Sequence, residues 1–399
     1  MSYFSLFLRL FAPFNLLVGV ILSIFFFIFA TMIHYTAPHN NRFLRPITPQ
    51  FLLMSIFFFV LFVILISRSF LQNGIGSSGT VYSDLPFHLG LITSFAYGTN
   101  SENSSMSTPF YFGEKLSYPI IPDYFSAILI GAGYAPIRIS ICVPTLFLLM
   151  SVIFSLHYLG LLFSSKSYIP EFAVVCFIFA SGVGWRYAFL KECRNDINVN
   201  YVHNFCTDIY TFWIHPLIHF LLPQRSAAFS MPLAICITSL LILAVDSHLK
   251  DKKIVFLAGL LMGMLPLLSA HTYIAVGEYA IFICLLFFPF KQPTKWVSTV
   301  LYWSVFGFTA LALSIPQVIW LLRVPRHGFM TFQAICLETF PGKFTLRKFF
   351  KLWWDSLGSF VFLAFLPSML LMTRRQQMIY LPSIGVFLVS NFICYQPGA

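Results

Sequence analysis

The chain has 399 residues, of which 58% are hydrophobic, 19% aromatic and only 9% charged. Soluble domains carry about a quarter charged residues, and a water-soluble protein of this length has too little interior to hide so much apolar side chain. With 49 Phe and few charges it is equally far from a disordered composition, so the chain belongs in a bilayer.

Apolar runs of about 20 residues cross a bilayer as helices. Ten are predicted: Phe14–Met32, Phe51–Ser67, Ile139–Phe163, Phe172–Gly184, Ala227–Val245, Ile254–Leu268, Thr272–Phe290, Val297–Leu322, Leu357–Leu371 and Met378–Cys394. Several are short or hold Pro, so the count lies between about eight and twelve. The first run is too long for the apolar core of a cleaved signal peptide and reads as an uncleaved anchor. The fold expected is all-α, a polytopic transmembrane helical bundle forming one integral membrane domain over residues 1–399. Phe-rich runs such as Phe25–Phe27 and Phe57–Phe59 are expected to face lipid.

Three polar stretches are long: a first loop over 68–122, a second over 186–225 and a third over 323–356. The other loops are short and basic, carrying Arg42, Arg45, Lys166, Lys250, Lys252, Lys253, Lys291, Lys295, Arg374 and Arg375. Strict alternation puts the short loops on one side, and their Lys/Arg density names that side cytoplasmic. The long loops and the N-terminus are then lumenal or extracellular. Most of the net charge of +11 is thereby an orientation signal beside anionic lipid, and nucleic acid is not an expected partner. Its remainder lies in the third outer loop, at Arg323, Arg326, Arg347 and Lys348.

The first outer loop opens on Ser83-Asp84-Leu85-Pro86-Phe87-His88-Leu89. Asp84 with Pro86 in the following turn is a helix-start signature, in which the carboxylate caps the first-turn amides. The same carboxylate is a candidate general base at the membrane surface, with His88 four residues on and on the same helix face. Glu114 and Tyr118, in an aromatic stretch bounded by Gly113 and Pro119, form either a loop lying on the helix ends or the rim of a sugar site. Asn103-Ser104-Ser105 is a glycosylation sequon.

In the second outer loop, Cys193 and Cys206 are either a disulfide or two thiols. His215 and His219 have the spacing of two metal ligands on a helix, but no third ligand is nearby and Pro216 between them suits a helix start. Gln224 and Arg225 follow at the mouth of a span, where a guanidinium either snorkels to headgroups or forks onto a phosphate. His271 lies at the outer end of another span. Glu278, seven residues further, sits within an apolar helix; there it either faces a cavity or a cation, or stays protonated and bonded to a neighbouring helix. By topology Asp84, His88, Arg225 and His271 fall on one side, which points to one outward-facing site.

Six segments, Asp84–Gly98, Tyr111–Ala127, Ser181–Trp185, Pro223–Pro232, Gly259–Ala275 and Asn391–Pro397, resemble in order and spacing a family of polytopic GT-C class membrane glycosyltransferases, over most of residues 80–399. The resemblance implies transfer of a sugar from a polyprenyl- or dolichyl-phosphate donor on the lumenal or outer face, with inversion, to a glycan, lipid or protein acceptor. Asp84 would be the base that deprotonates the acceptor hydroxyl, with His88 beside it. Glu114, Tyr118, Gln224, Arg225 and His271 would bind substrate or phosphate, Arg225 and His271 offsetting charge on the leaving phosphate; Glu278, where the family has an apolar residue, joins them as a candidate on its intramembrane carboxylate alone. A divalent metal is used by some members of that class; no acidic ligand cluster is seen here. Family members continue with Trp-rich sequence beyond the last motif, so the resemblance implies a truncated chain. It also implies an endoplasmic reticulum membrane in a eukaryote, favoured by the sequon and composition, or the plasma membrane in a bacterium. Two other readings compete: a secondary transporter or flippase built on Glu278, and a catalytically inactive membrane subunit.

Overall fold

A computed structural model describes residues 3, 48–70, 81, 84–101, 106–131, 133–164, 168–180, 215–324, 330–332, 345–347, 349–350, 353–354 and 369–395. The expected span Phe14–Met32, most of Leu357–Leu371, the sequon at Asn103, Cys193 and Cys206, Arg326 and Lys348 lie outside the described residues.

The chain is predominantly helical and divides into two compact units, Met1–Ile153 and Phe154–Ala399. In the first, α1 (Pro49–Ser69) begins where the Thr48 hydroxyl accepts from the Phe51 amide at 3.1 Å and Pro49 supplies a pre-set first turn. Met54, Phe58, Phe62 and Ile66 recur every fourth residue and make its buried stripe. Phe57 and Phe59 face outward as expected, but Phe58 between them is fully buried, because successive residues point about 100° apart around a helix. Next come α2 (Asp84–Ala96) and α3 (Ile121–Gly131), packed through Leu85, Ile92 and Phe95 on one side and Tyr124, Ala127 and Ile128 on the other. The long α4 (Ile137–Phe163) follows, its last residues from Phe154 on belonging to the second unit.

The second unit holds α5 (Ile169–Phe179), a short turn of helix at Pro216–Leu221, α6 (Arg225–Asp246), α7 (Lys252–Gly263), α8 (Ala270–Leu286), α9 (Trp296–Leu321) and α10 (Arg374–Ser390). Helix α7 lies along α9 because Gly259 and Gly263, four residues apart, present no side chain to it. A Cβ at Gly259 would stand 2.8 Å from the Phe306 carbonyl, and one at Gly263 2.6 Å from the Leu313 Cβ. This is the small-xxx-small contact by which membrane helices approach closely. Gly263→Val is expected to cost about 1–3 kcal/mol by overpacking, seen as a lower thermal midpoint of the detergent-solubilised chain; an unchanged midpoint would contradict this packing.

Polar side chains join the helix ends in two layers. At one end Arg375 forks onto Asp246 (2.7 and 2.5 Å), Tyr302 donates to the Asp251 carbonyl, and Gln376 donates to the Phe163 carbonyl. At the other end Ser230 meets Thr272, Tyr273 donates to Ser314, and Gln317 donates to the Gly263 carbonyl while accepting from the Leu267 amide. Every contact in the first layer joins residues in or beside the short basic loops.

Of ten expected spans, four described helices are long and apolar enough to cross a membrane: α1, α4, α6, and α9 with the turn before it (Pro293–Leu321). Four others are helices but too short, the first being α5, which covers the expected Phe172–Gly184 with only 11 residues, Ile169–Phe179. Helix α7 stops at Gly263, and 12 residues rise only about 18 Å against a hydrocarbon core of about 30 Å. Helix α8 ends at Leu286, short of Phe290. The last expected span, to Cys394, ends instead at Ser390. Asn391 caps it, and Ile393–Tyr395 pairs as an antiparallel strand with Met330–Phe332, a ladder that the all-helical expectation did not contain.

Candidate functional site

The first unit builds its candidate site on the α2–α3 pair. Asp84 is the first residue of α2 and half-buried, so its carboxylate complements the positive end of the helix. Pro86 fits the same first turn, as the sequence predicts. One turn further, His88 is on the face expected of it, but its carboxylate partner is Asp123 of α3. The His88 Nδ1 lies 2.8 Å from Asp123 Oδ2, with His88 4% and Asp123 0% exposed. A carboxylate oxygen accepts, so Nδ1 is the donor of this pair.

Aromatic rings frame this pair. Phe87 stacks on Phe110 at 4.9 Å, Tyr118 meets Phe87 edge-on at 4.9 Å, and the Tyr118 ring lies 6.3 Å from that of His88. Asn100, 1% exposed, fixes the segment carrying these rings onto α2: its amide donates to the Ser94 hydroxyl (2.8 Å) and the Ser107 carbonyl (2.7 Å), and its oxygen accepts from the Ser107 amide (2.9 Å). Tyr111 and Phe112 are highly exposed beyond it, and so is Glu114. Tyr118 thus joins the His88 surroundings, while Glu114 stays at the outer edge of the loop.

The second unit carries the other four candidates. Gln224 occupies the position before α6 and is exposed; Arg225 is the first helical residue and only 3% exposed. Such burial is not the posture of a guanidinium snorkelling to headgroups, which would leave the charged end in water. His271 is exposed on the first turn of α8. Helices α6 and α8 are pinned near these residues by a short hydroxyl chain, Ser230 to Thr272 at 2.9 Å and Thr272 to Ser269 at 3.0 Å. Glu278 is half-buried two turns along α8, beside Tyr279, whose hydroxyl donates to the Ile379 carbonyl of α10. His215 is a helix cap: its Nδ1 accepts from the Leu217 and Ile218 amides at 3.2 and 3.5 Å, the helix-start role that Pro216 indicates. The His219 side chain lies outside the described residues. Arg323 covers the Trp320 ring at 4.2 Å, and its partial burial lowers its pKa from the ordinary value.

Two features escaped the reading of the sequence. Asp123 stands 35 residues from His88, beyond any helical spacing; the local sign is that an acid and a Pro share the first turn of α3, as they do in α2, though in the opposite order. The second is His157 of α4 beside Glu171 in the first turn of α5, at 3.2 Å. His157 and Glu171 are mostly buried, where an ionisable group needs a partner.

Comparison with protein-family models, with curated proteins and with solved structures finds no match. The class that the fold defines is that of a helical membrane protein, on four apolar helices of sufficient length.

Proposed function

We propose that the chain is a multi-pass membrane glycosyltransferase of the GT-C kind, taking a sugar from a polyprenyl or dolichyl phosphate. The observation that carries this reading is Asp84, a half-buried carboxylate at the start of α2, one turn from the buried His88–Asp123 pair and outside the four spanning helices. In the reaction an acceptor hydroxyl attacks the anomeric carbon as its proton passes to Asp84. The bond from that carbon to the phosphate oxygen breaks with inversion, and lipid phosphate leaves. The His88–Asp123 pair holds α2 and α3 in register beneath Asp84. In the second unit, Arg225 is a buried charge fixed at a helix start, a position suited to phosphate.

Within the second unit, helix ends beside the described basic loops are joined to one another, and the starts of α6 and α8, with Arg225 and His271, meet at the opposite layer, which supports this reading. The test is incubation of membranes containing the chain with radiolabelled polyprenyl-phosphate sugars. Incorporation into an extractable acceptor supports the reading; none with any donor, in membranes where a known transferase is active, overturns it.

A transporter is the second reading, favoured by Glu278 in the apolar α8. Solute uptake into proteoliposomes that is lost in Glu278→Gln and kept in Asp84→Asn would select it. A chain that retains a lipid-linked sugar on purification without transferring it would instead be a non-catalytic subunit.

A further inference from the structure

The layer of helix ends closed by the Asp246–Arg375 fork has a surface that the transfer reaction does not use. The loop from α8 to α9 is a compact aromatic knot. The Phe288 ring lies 4.8 Å from Phe290 and 5.9 Å from Trp296, and the Trp296 indole donates to the Pro289 carbonyl at 3.0 Å. Phe290 and Trp296 are nonetheless 63% and 42% exposed. Lys291 and Lys295 flank the knot, both exposed. The α6–α7 turn, in which His248 and Leu249 both take left-handed conformations (φ 54° and 60°), brings Lys250, Lys252 and Lys253 to the same end. The Tyr302 hydroxyl, donating to the Asp251 carbonyl at 3.0 Å, ties that turn to the base of α9.

Arg374 stands beside Arg375, whose fork with Asp246 fastens α10 to α6 and raises its pKa. Among the described residues, the acids beside these loops are engaged: Asp246 by Arg375, Asp251 as the cap accepting from the Lys253 amide at 3.0 Å, and Glu171 by His157. Among the described residues, Lys250, Lys252, Lys253, Lys291, Lys295 and Arg374 form no ion pair. Exposed cations without carboxylate partners, set around exposed aromatics at the end of apolar helices, match the chemistry of a headgroup layer. Aromatic rings lodge at the interface, and Lys and Arg are attracted to an anionic leaflet.

We propose that this basic, aromatic end is a docking face for the phosphate-bearing headgroups of anionic lipids, which hold the second unit in the membrane. The full chain, purified in a neutral detergent, is mixed with micelles containing phosphatidylserine, phosphatidylcholine or inorganic phosphate, and bound lipid is counted by native mass spectrometry beside the thermal midpoint. The expected result is retention of phosphatidylserine at least tenfold above phosphatidylcholine, a midpoint raised by the anionic lipid alone, and loss of both in Lys250→Gln/Lys252→Gln/Lys291→Gln/Lys295→Gln. Lys115→Gln, in the first unit, is the control expected to leave retention unchanged. Should the quadruple variant fail to fold, raising the salt from about 0.05 M to 0.5 M on the unaltered chain must still abolish the preference, since exposed charges are screened within a few ångströms there. Equal retention of both lipids, salt-independent retention, or an equal effect of inorganic phosphate overturns the proposal.

Discussion

Asp84→Asn is expected to abolish sugar transfer while leaving the fold intact. Asn is as well suited as Asp to the start of a helix, so α2 keeps its first turn, but the amide cannot take a proton from an acceptor hydroxyl. General-base catalysis is worth about a hundred- to ten-thousandfold, and the initial rate of label transfer should fall by at least the lower figure. The variant should also retain the donor, because base and phosphate-binding residues are on different helices. Arg225→Lys should do the opposite, weakening donor retention before it touches the proton transfer, since an ammonium cannot fork onto phosphate. Undiminished turnover in Asp84→Asn would remove that residue from the mechanism, whatever reaction the chain performs.

The second large effect is structural and sits at Asp123. Replacing it with Leu leaves the Nδ1–H of His88 buried without its acceptor, and breaking such a pair costs about 3 kcal/mol. Asp123→Asn keeps a carbonyl oxygen in reach and should cost about 1 kcal/mol. Thermal unfolding of the solubilised chain separates the two, and His88→Phe provides the cycle. If the pair is a unit, removing both partners should cost less than the sum of the single losses. A midpoint in Asp123→Leu equal to that of the unaltered chain would mean the pair contributes nothing. Because α2 carries Asp84, transfer activity should fall in Asp123→Leu as well, and in step with the loss of folded protein.

What was legible in the sequence follows from the range over which each signal acts. The helix start at Asp84 could be read, and the starts of α1 and α6 to within two residues (Phe51 and Ala227 expected, Pro49 and Arg225 found), because caps, proline and apolar runs act within a few residues. The ends were less legible. Helix α7 stops at Gly263 and α10 at Ser390 although apolar residues continue, because the chain there is taken up by Gln317 in one case and by a strand ladder in the other. Hydropathy counts residues and has no means of registering a partner 50 positions away. Phe58 makes the same point, as composition put it in lipid and packing put it in the core.

By itself the sequence determined that this is a membrane protein, since 58% hydrophobic residues with 9% charged cannot be folded in water. It also determined where the charges concentrate, in the short loops. Only the tertiary structure decided how many described helices are long enough to cross a bilayer, which carboxylate His88 meets, and that the described basic loops of the second unit gather around an aromatic knot. The division is physical. Solvent preference is a property of each residue and accumulates along the chain, whereas a hydrogen bond between His88 and Asp123 exists only once two helices have packed and excluded water from between them.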